Sequence, residues 1–113
     1  MNGDKHLEKA KRIDESQKGL DSKTSWEAII EMVYGAAFNY IAYLCEKEFG
    51  EHLETHKGLA KFLEQKGLHD IAELFRTLDH ERVSKWYGGQ EDGDAVKEAR
   101  KILKKIKDRA GIK

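Results

Sequence analysis

Residues 24–49 read TSWEAIIEMVYGAAFNYIAYLCEKEF, and the fold follows from how this stretch distributes its apolar side chains. Trp26, Ile29, Ile30, Val33, Ala37, Ile41 and Leu44 recur at helical spacing and mark one face of a helix. Tyr34, Phe38 and Tyr43 add apolar surface on other faces, so the segment predicts a central helix covered from more than one side. Thr24 and Glu27 have the spacing of a capping box, and Gly50 stands where the helix would stop. The apolar run 32–45 spans 14 residues and is interrupted by Asn39. A bilayer needs roughly 20, so a core helix is expected and no membrane span. Gly35, Ala36 and Ala37 would let another helix approach closely, and the excess of apolar surface on this run predicts a homodimer contact at or near it.

Outward from this segment, glycines separate further helices. A first helix is expected over 4–18 on a stripe of Leu7, Ala10 and Ile13, with Gly19 at its end. A third is expected over 55–66, packing through Leu59, Phe62 and Leu63 and stopping at Gly67. Asp70 and Glu73 suggest a second capping box opening a fourth helix, which carries Ile71, Leu74, Phe75 and Leu78 toward Trp86 and the Gly88-Gly89 pair. Asp94 can cap a fifth, striped by Val96, Ala99, Ile102, Leu103, Ile106 and Ala110. The pattern predicts an all-α, antiparallel up-and-down bundle of four to five helices forming a single domain over 1–113.

Composition agrees. The chain has no proline, where average usage predicts about five or six, and uninterrupted helices follow from that. Its 21 basic and 21 acidic residues cancel, so attraction to nucleic acid or to an anionic surface must come from local patches. Cys45, the single cysteine, lies in an apolar run and reads as a buried, inert thiol in a reducing, cytoplasmic setting. The charged stretch 1–18 lacks the apolar core of a signal peptide.

Few features carry chemistry. His52 and His56 lie four apart, a spacing that offers two ligands to one metal, but no third ligand is evident and the zinc-protease pattern is absent. Surface or capping histidines are the expectation, with no metal and no cofactor. Phosphate-binding glycine loops, nucleophile elbows and paired carboxylates are also missing, so no residue is assigned a catalytic role. Residues 94–113 hold eight Lys or Arg against three acids, a local charge of +5. Lys97, Lys101, Lys104 and Lys105 avoid the apolar stripe there; they form a solvated basic face, which could meet RNA phosphates or an acidic partner.

One residue breaks the periodicity. Positions 71, 75, 78 and 82 share a helix face, and the last of them is Arg82. An inward-leaning arginine needs an anion, either Asp79 one turn back or a ligand phosphate or carboxylate; Trp86 one turn on offers a stacking face. Tyr87 converges on Arg82 only if the helix bends or ends, and Gly88 and Gly89 permit that.

The greasy helix around Tyr34-Gly-Ala-Ala-Phe-Asn-Tyr-Ile41, the Thr55-His-Lys-Gly58 helix start and the segment Leu78-Asp-His-Glu-Arg82-Val-Ser-Lys-Trp-Tyr87-Gly88 together resemble the archaeal and bacterial HEPN (higher eukaryotes and prokaryotes nucleotide-binding) domains, over about 25–110. The resemblance implies a homodimeric helix bundle with an arginine and a histidine, separated by four to six intervening residues, near the dimer groove. Arg82 matches that arginine, whereas Tyr87 stands at the histidine's place. It therefore implies a non-catalytic protein that binds a nucleotide, RNA or a partner such as a minimal nucleotidyltransferase through Arg82, Tyr87 and Trp86. The alternatives are a metal-independent, toxin-like endoribonuclease, in which His80 or another histidine does the acid-base work, and a purely structural assembly module.

Overall fold

A computed structural model of the chain describes residues 2–52, 55, 57–84 and 93–112, and among these all regular structure is helical. The order is α1 (Gly3–Lys18), α2 (Trp26–Phe49), α3 (Leu59–Gln65), α4 (His69–Ser84) and α5 (Gly93–Arg109). Helix α2 is the hub: α1, α4 and α5 pack directly on it, and α3 packs on α4. Contacts between α1 and α2 run in opposite directions, from Gly3 beside Glu46 to Ile13 beside Gly35, so the two form an antiparallel hairpin. Helix α5 opposes α1 in turn, with Arg100 reaching Gln17 and Lys107 reaching Asp14.

The apolar stripes close the core as their spacing dictates. Ile29, Ile30, Val33, Ile41 and Leu44 of α2 are buried against Ile71, Phe75 and Leu78 of α4 and the Val96, Ala99, Ile102, Leu103 and Ile106 stripe of α5. Of the run 32–45, only Met32, Gly35 and Tyr43 keep partial exposure. The bundle covers α2 on nearly every side within one chain, which removes the apolar excess on which a dimer contact along this helix was expected. The helix extends well past the apolar run of 14, as its expected span of 24–49 requires, and covers 24 residues. By length and composition alone it could cross a membrane, but 72% of its most apolar window is buried inside the protein, as befits a core helix.

Local chemistry corrects three helix starts. Asp21 Oδ1 accepts the backbone N–H groups of Lys23 and Thr24, at 2.7 and 3.3 Å, and its carbonyl accepts from Ser25. This turn delays α2, makes Ser25 its N-cap without a side-chain bond, and leaves the Thr24–Glu27 capping box unformed. Helix α4 begins at His69, so Asp70 lies inside the first turn, where its charge suits the helix dipole, and is not the cap. Helix α3 starts later than expected because Gly58, at φ +80°, precedes it in the left-handed region. The expected end of the fourth helix at Gly88-Gly89 lies outside the described residues.

Helix α1 departs most from expectation. Its buried face comprises Gly3, His6, Ala10, Asp14 and Gln17, while Leu7 and Ile13 are only partly covered. Burying polar groups is stable only if they are paired, and these are. Asp14 accepts from Gln17 at 3.0 Å, from the Tyr40 hydroxyl at 3.0 Å and from the Lys107 ammonium at 2.9 Å. Gln17 in turn accepts from Arg100 Nε at 2.8 Å through its side chain and from Arg100 Nη2 at 3.0 Å through its carbonyl. Burial pushes the Asp14 carboxyl up, but donation from Lys107, Gln17 and Tyr40 outweighs it and holds the group below its ordinary value.

Candidate functional site

Arg82 occupies the last full turn of α4, one turn beyond the buried Leu78. Its face would carry it into the core, but the guanidinium stops at the surface over the ring of Tyr34, with Cζ 4.5 Å from the ring centroid. Tyr34 is itself stacked on Phe75, with ring centroids 5.0 Å apart. Asp79, one turn back, accepts from Arg82 Nη2 at 3.0 Å and from Nε at 3.3 Å. A flexible side chain is thereby held in one orientation by an aromatic face and a carboxylate.

The electrostatics are mixed. Asp79 stabilises the cation and raises the arginine's already high pKa, and Glu31 adds negative potential. Burial pushes the Tyr34 hydroxyl up to about 12, with Asp79 adding to the shift and Arg82 opposing it, so it stays protonated at neutral pH. Side-chain exposure is 32% for Arg82 and 47% for Asp79. The arginine is therefore solvent-reachable, and the ion pair is a surface one of small energetic weight.

Of the residues expected to accompany Arg82, Trp86 and Tyr87 lie outside the described residues. Tyr34, which the sequence reading placed only in the core, is the aromatic partner instead; its signal was its place on the most apolar helix. On the adjoining face of α4, Glu81 approaches Glu98 of α5, and burial followed by the Glu98 charge pushes its carboxyl up to about 7. Lys97, Lys101, Lys104 and Lys105 are exposed, as the basic-face reading requires. Cys45 is fully buried, and burial followed by the Glu48 charge pushes its thiol up to about 11, which makes it a poor nucleophile.

The histidine reading needs correction. His52 is not a surface residue: its side chain is 10% exposed and its Nδ1 lies 2.7 Å from Glu46 Oε2. Its Nε2 is 3.2 Å from Nε2 of His6, a buried α1 residue whose Nδ1 lies 2.8 Å from Asn39 Oδ1. His56 lies outside the described residues. No local spacing links positions 6 and 52; only the α1–α2 hairpin does.

No family model matches this chain, and no curated protein and no solved structure matches it.

Proposed function

We propose that this chain is a non-catalytic, HEPN-like helical module, working as a cytoplasmic homodimer, that binds the phosphate of a nucleotide or of RNA at Arg82. The observation that carries the reading is the orientation of the guanidinium. Packed on Tyr34 and tethered by Asp79, it is presented at the surface in a fixed geometry, which lowers the entropy lost when a planar cation engages an oxyanion. The all-helical architecture and the antiparallel order of α1, α2 and α5 support the bundle that the resemblance implies. Association with a minimal nucleotidyltransferase belongs to the same resemblance. Val83, 47% exposed beside Arg82, is apolar surface that a partner or a second copy would cover.

The motif position Tyr87 separates this reading from a ribonuclease. A phenol with an ordinary pKa near 10 is a poor general base at neutral pH, so purified protein is expected to leave RNA intact. Titration of AMP and of a short single-stranded RNA in a calorimeter tests the binding. The parent should bind one of them, and Arg82→Ala should weaken that binding at least tenfold while keeping the helical signal. Binding that is unchanged in Arg82→Ala would remove the site, and RNA cleavage that depends on Arg82 would replace the reading with the nuclease.

A further inference from the structure

Among the described residues, helices α1 and α5 both pack on α2 but not on each other, so a groove runs between them with α2 as its floor. Long side chains bridge it, Arg100 to Gln17 toward one end and Lys107 to Asp14 toward the other. Beside the second bridge lies a cleft of about 230 Å³, walled by Lys11, Asp14, Glu15 and Lys18 of α1 and by Lys107 of α5, with Tyr40 of α2 beneath. Tyr40 is six residues from Tyr34 on α2, about 120° around the helix, which sets the cleft apart from the Arg82 surface.

The acids of this cleft are satisfied. Asp14 accepts through Oδ1 from Gln17 and through Oδ2 from both Tyr40 and Lys107, so its charge is compensated within the protein. Glu15 is exposed at the rim beside Lys18. The cations are not satisfied. Lys107 gives one of its three N–H donors to Asp14, and the other two have no acceptor among the described residues although the side chain is only 20% exposed. Lys11, and Lys104 one turn before Lys107 on α5, are exposed and have no ion-pair partner among the described residues. Arg100 donates to neutral oxygens of Gln17, which leaves its charge uncancelled. Elsewhere the bundle pairs cations across its elements, Lys66 with Glu51, Arg76 with Glu64 and Arg109 with Glu48. Cations in a last helical turn answer the helix dipole, which accounts for Lys18 and Lys107; Lys11 and Lys104 lie too far inside their helices for that.

We propose that this cleft is a binding site for a small phosphate anion, either a free phosphate or diphosphate or the terminal phosphate of a larger molecule, held by Lys11, Lys18 and Lys107. Lysine suits the role because each ammonium is a compact charge whose three donors rotate toward whichever oxygen arrives. Volume sets the size of the ligand. Pockets for whole small molecules hold about 300 Å³ or more, so the cleft admits a phosphate or diphosphate group and not an entire nucleotide. The two side-chain bridges also bar a strand from running along the groove. Lys107 is oriented before any ligand arrives, by Asp14 and by the ring of Tyr40, whose centroid lies 5.6 Å from Nζ, which reduces the ordering cost of binding. This site stands or falls independently of the Arg82 reading.

The test is titration of the full isotope-labelled chain with sodium pyrophosphate, and separately with a short oligouridylate bearing or lacking a terminal phosphate, followed by amide shifts in NMR and by calorimetry. Pyrophosphate should shift the amides of residues 11–18 and 104–107. Lys11→Gln combined with Lys18→Gln should weaken its binding about tenfold or more, as the loss of two charge-assisted bonds does, and should keep the melting temperature because both side chains are exposed. Lys107→Gln is the less decisive variant, since it also takes a donor from the buried Asp14. Shifts at the same amides with the phosphorylated strand and not with the unphosphorylated one would support the site and identify its source as a strand end. No shift in the groove with any of the three ligands, or a pyrophosphate affinity unchanged in the double variant, would overturn the proposal.

Discussion

At the scale of single residues, Arg82 and Glu81 respond oppositely to their surroundings although they are neighbours in sequence. Arg82 is held by groups that are themselves partly exposed, so Arg82→Ala should cost only about 1 kcal/mol, the sum of a weak surface ion pair and an exposed cation–π contact. Thermal melting checks that figure. Asp79 competes with any incoming phosphate for the same guanidinium, so Asp79→Asn should tighten nucleotide or RNA binding, which calorimetry reads directly. Glu81 has a pKa raised from 4.5 to about 7, so the folded protein holds its proton more tightly than the unfolded chain does. Its contribution is therefore a loss of stability as pH rises from about 4.5 to about 7, complete above that window. Asp14, lowered in the folded protein, acts in the other direction, with stability present above pH 3.8 and lost as the pH falls through its folded value. Denaturant midpoints measured across pH should decline as the pH rises from about 4.5 to about 7, and Glu81→Gln should flatten that decline.

At the scale of elements, the apolar stripes were legible and the polar face was not. The stripes on α2, α4 and α5 needed only periodicity, because Leu, Ile, Val and Phe bury wherever a helix turns them inward. Positions 3, 6, 10, 14 and 17 of α1 have the same helical spacing, but His, Asp and Gln bury only when partners exist, and those partners are Asn39, Tyr40, Arg100 and Lys107 on other helices. The His6–His52 pair was hidden for the same reason, since nothing between positions 6 and 52 signals their meeting. Arg82 was legible as a break in an apolar face and Asp79 as its neighbour by spacing, whereas Tyr34 required knowing how α4 lies on α2. The α1 network should be costly to break. Asp14→Ala leaves the largely buried Lys107 ammonium and the Tyr40 hydroxyl without their acceptor, a loss expected to be about 3 kcal/mol or more by denaturant unfolding. Asp14→Asn, which keeps an acceptor oxygen, should cost less.

At the scale of the whole molecule, the packing of α2 changes where association is to be sought. With that helix covered within one chain, a homodimer would form elsewhere, and the Val83 end of α4 is the exposed apolar surface next to the proposed site. Sedimentation velocity on the parent and on Val83→Glu should show a dimer that the variant weakens; a clean monomer at tens of micromolar would leave a one-chain binding module. Among the described residues a phosphate could choose between Arg82 on α4 and the exposed lysines 97, 101, 104 and 105 on α5. Backbone amide shifts of the isotope-labelled protein, followed by NMR as a short single-stranded RNA is added, test the central claim most directly. The account predicts shifts concentrated at residues 79–83 and at Tyr34; shifts confined to the α5 lysines, or none at all, would contradict it.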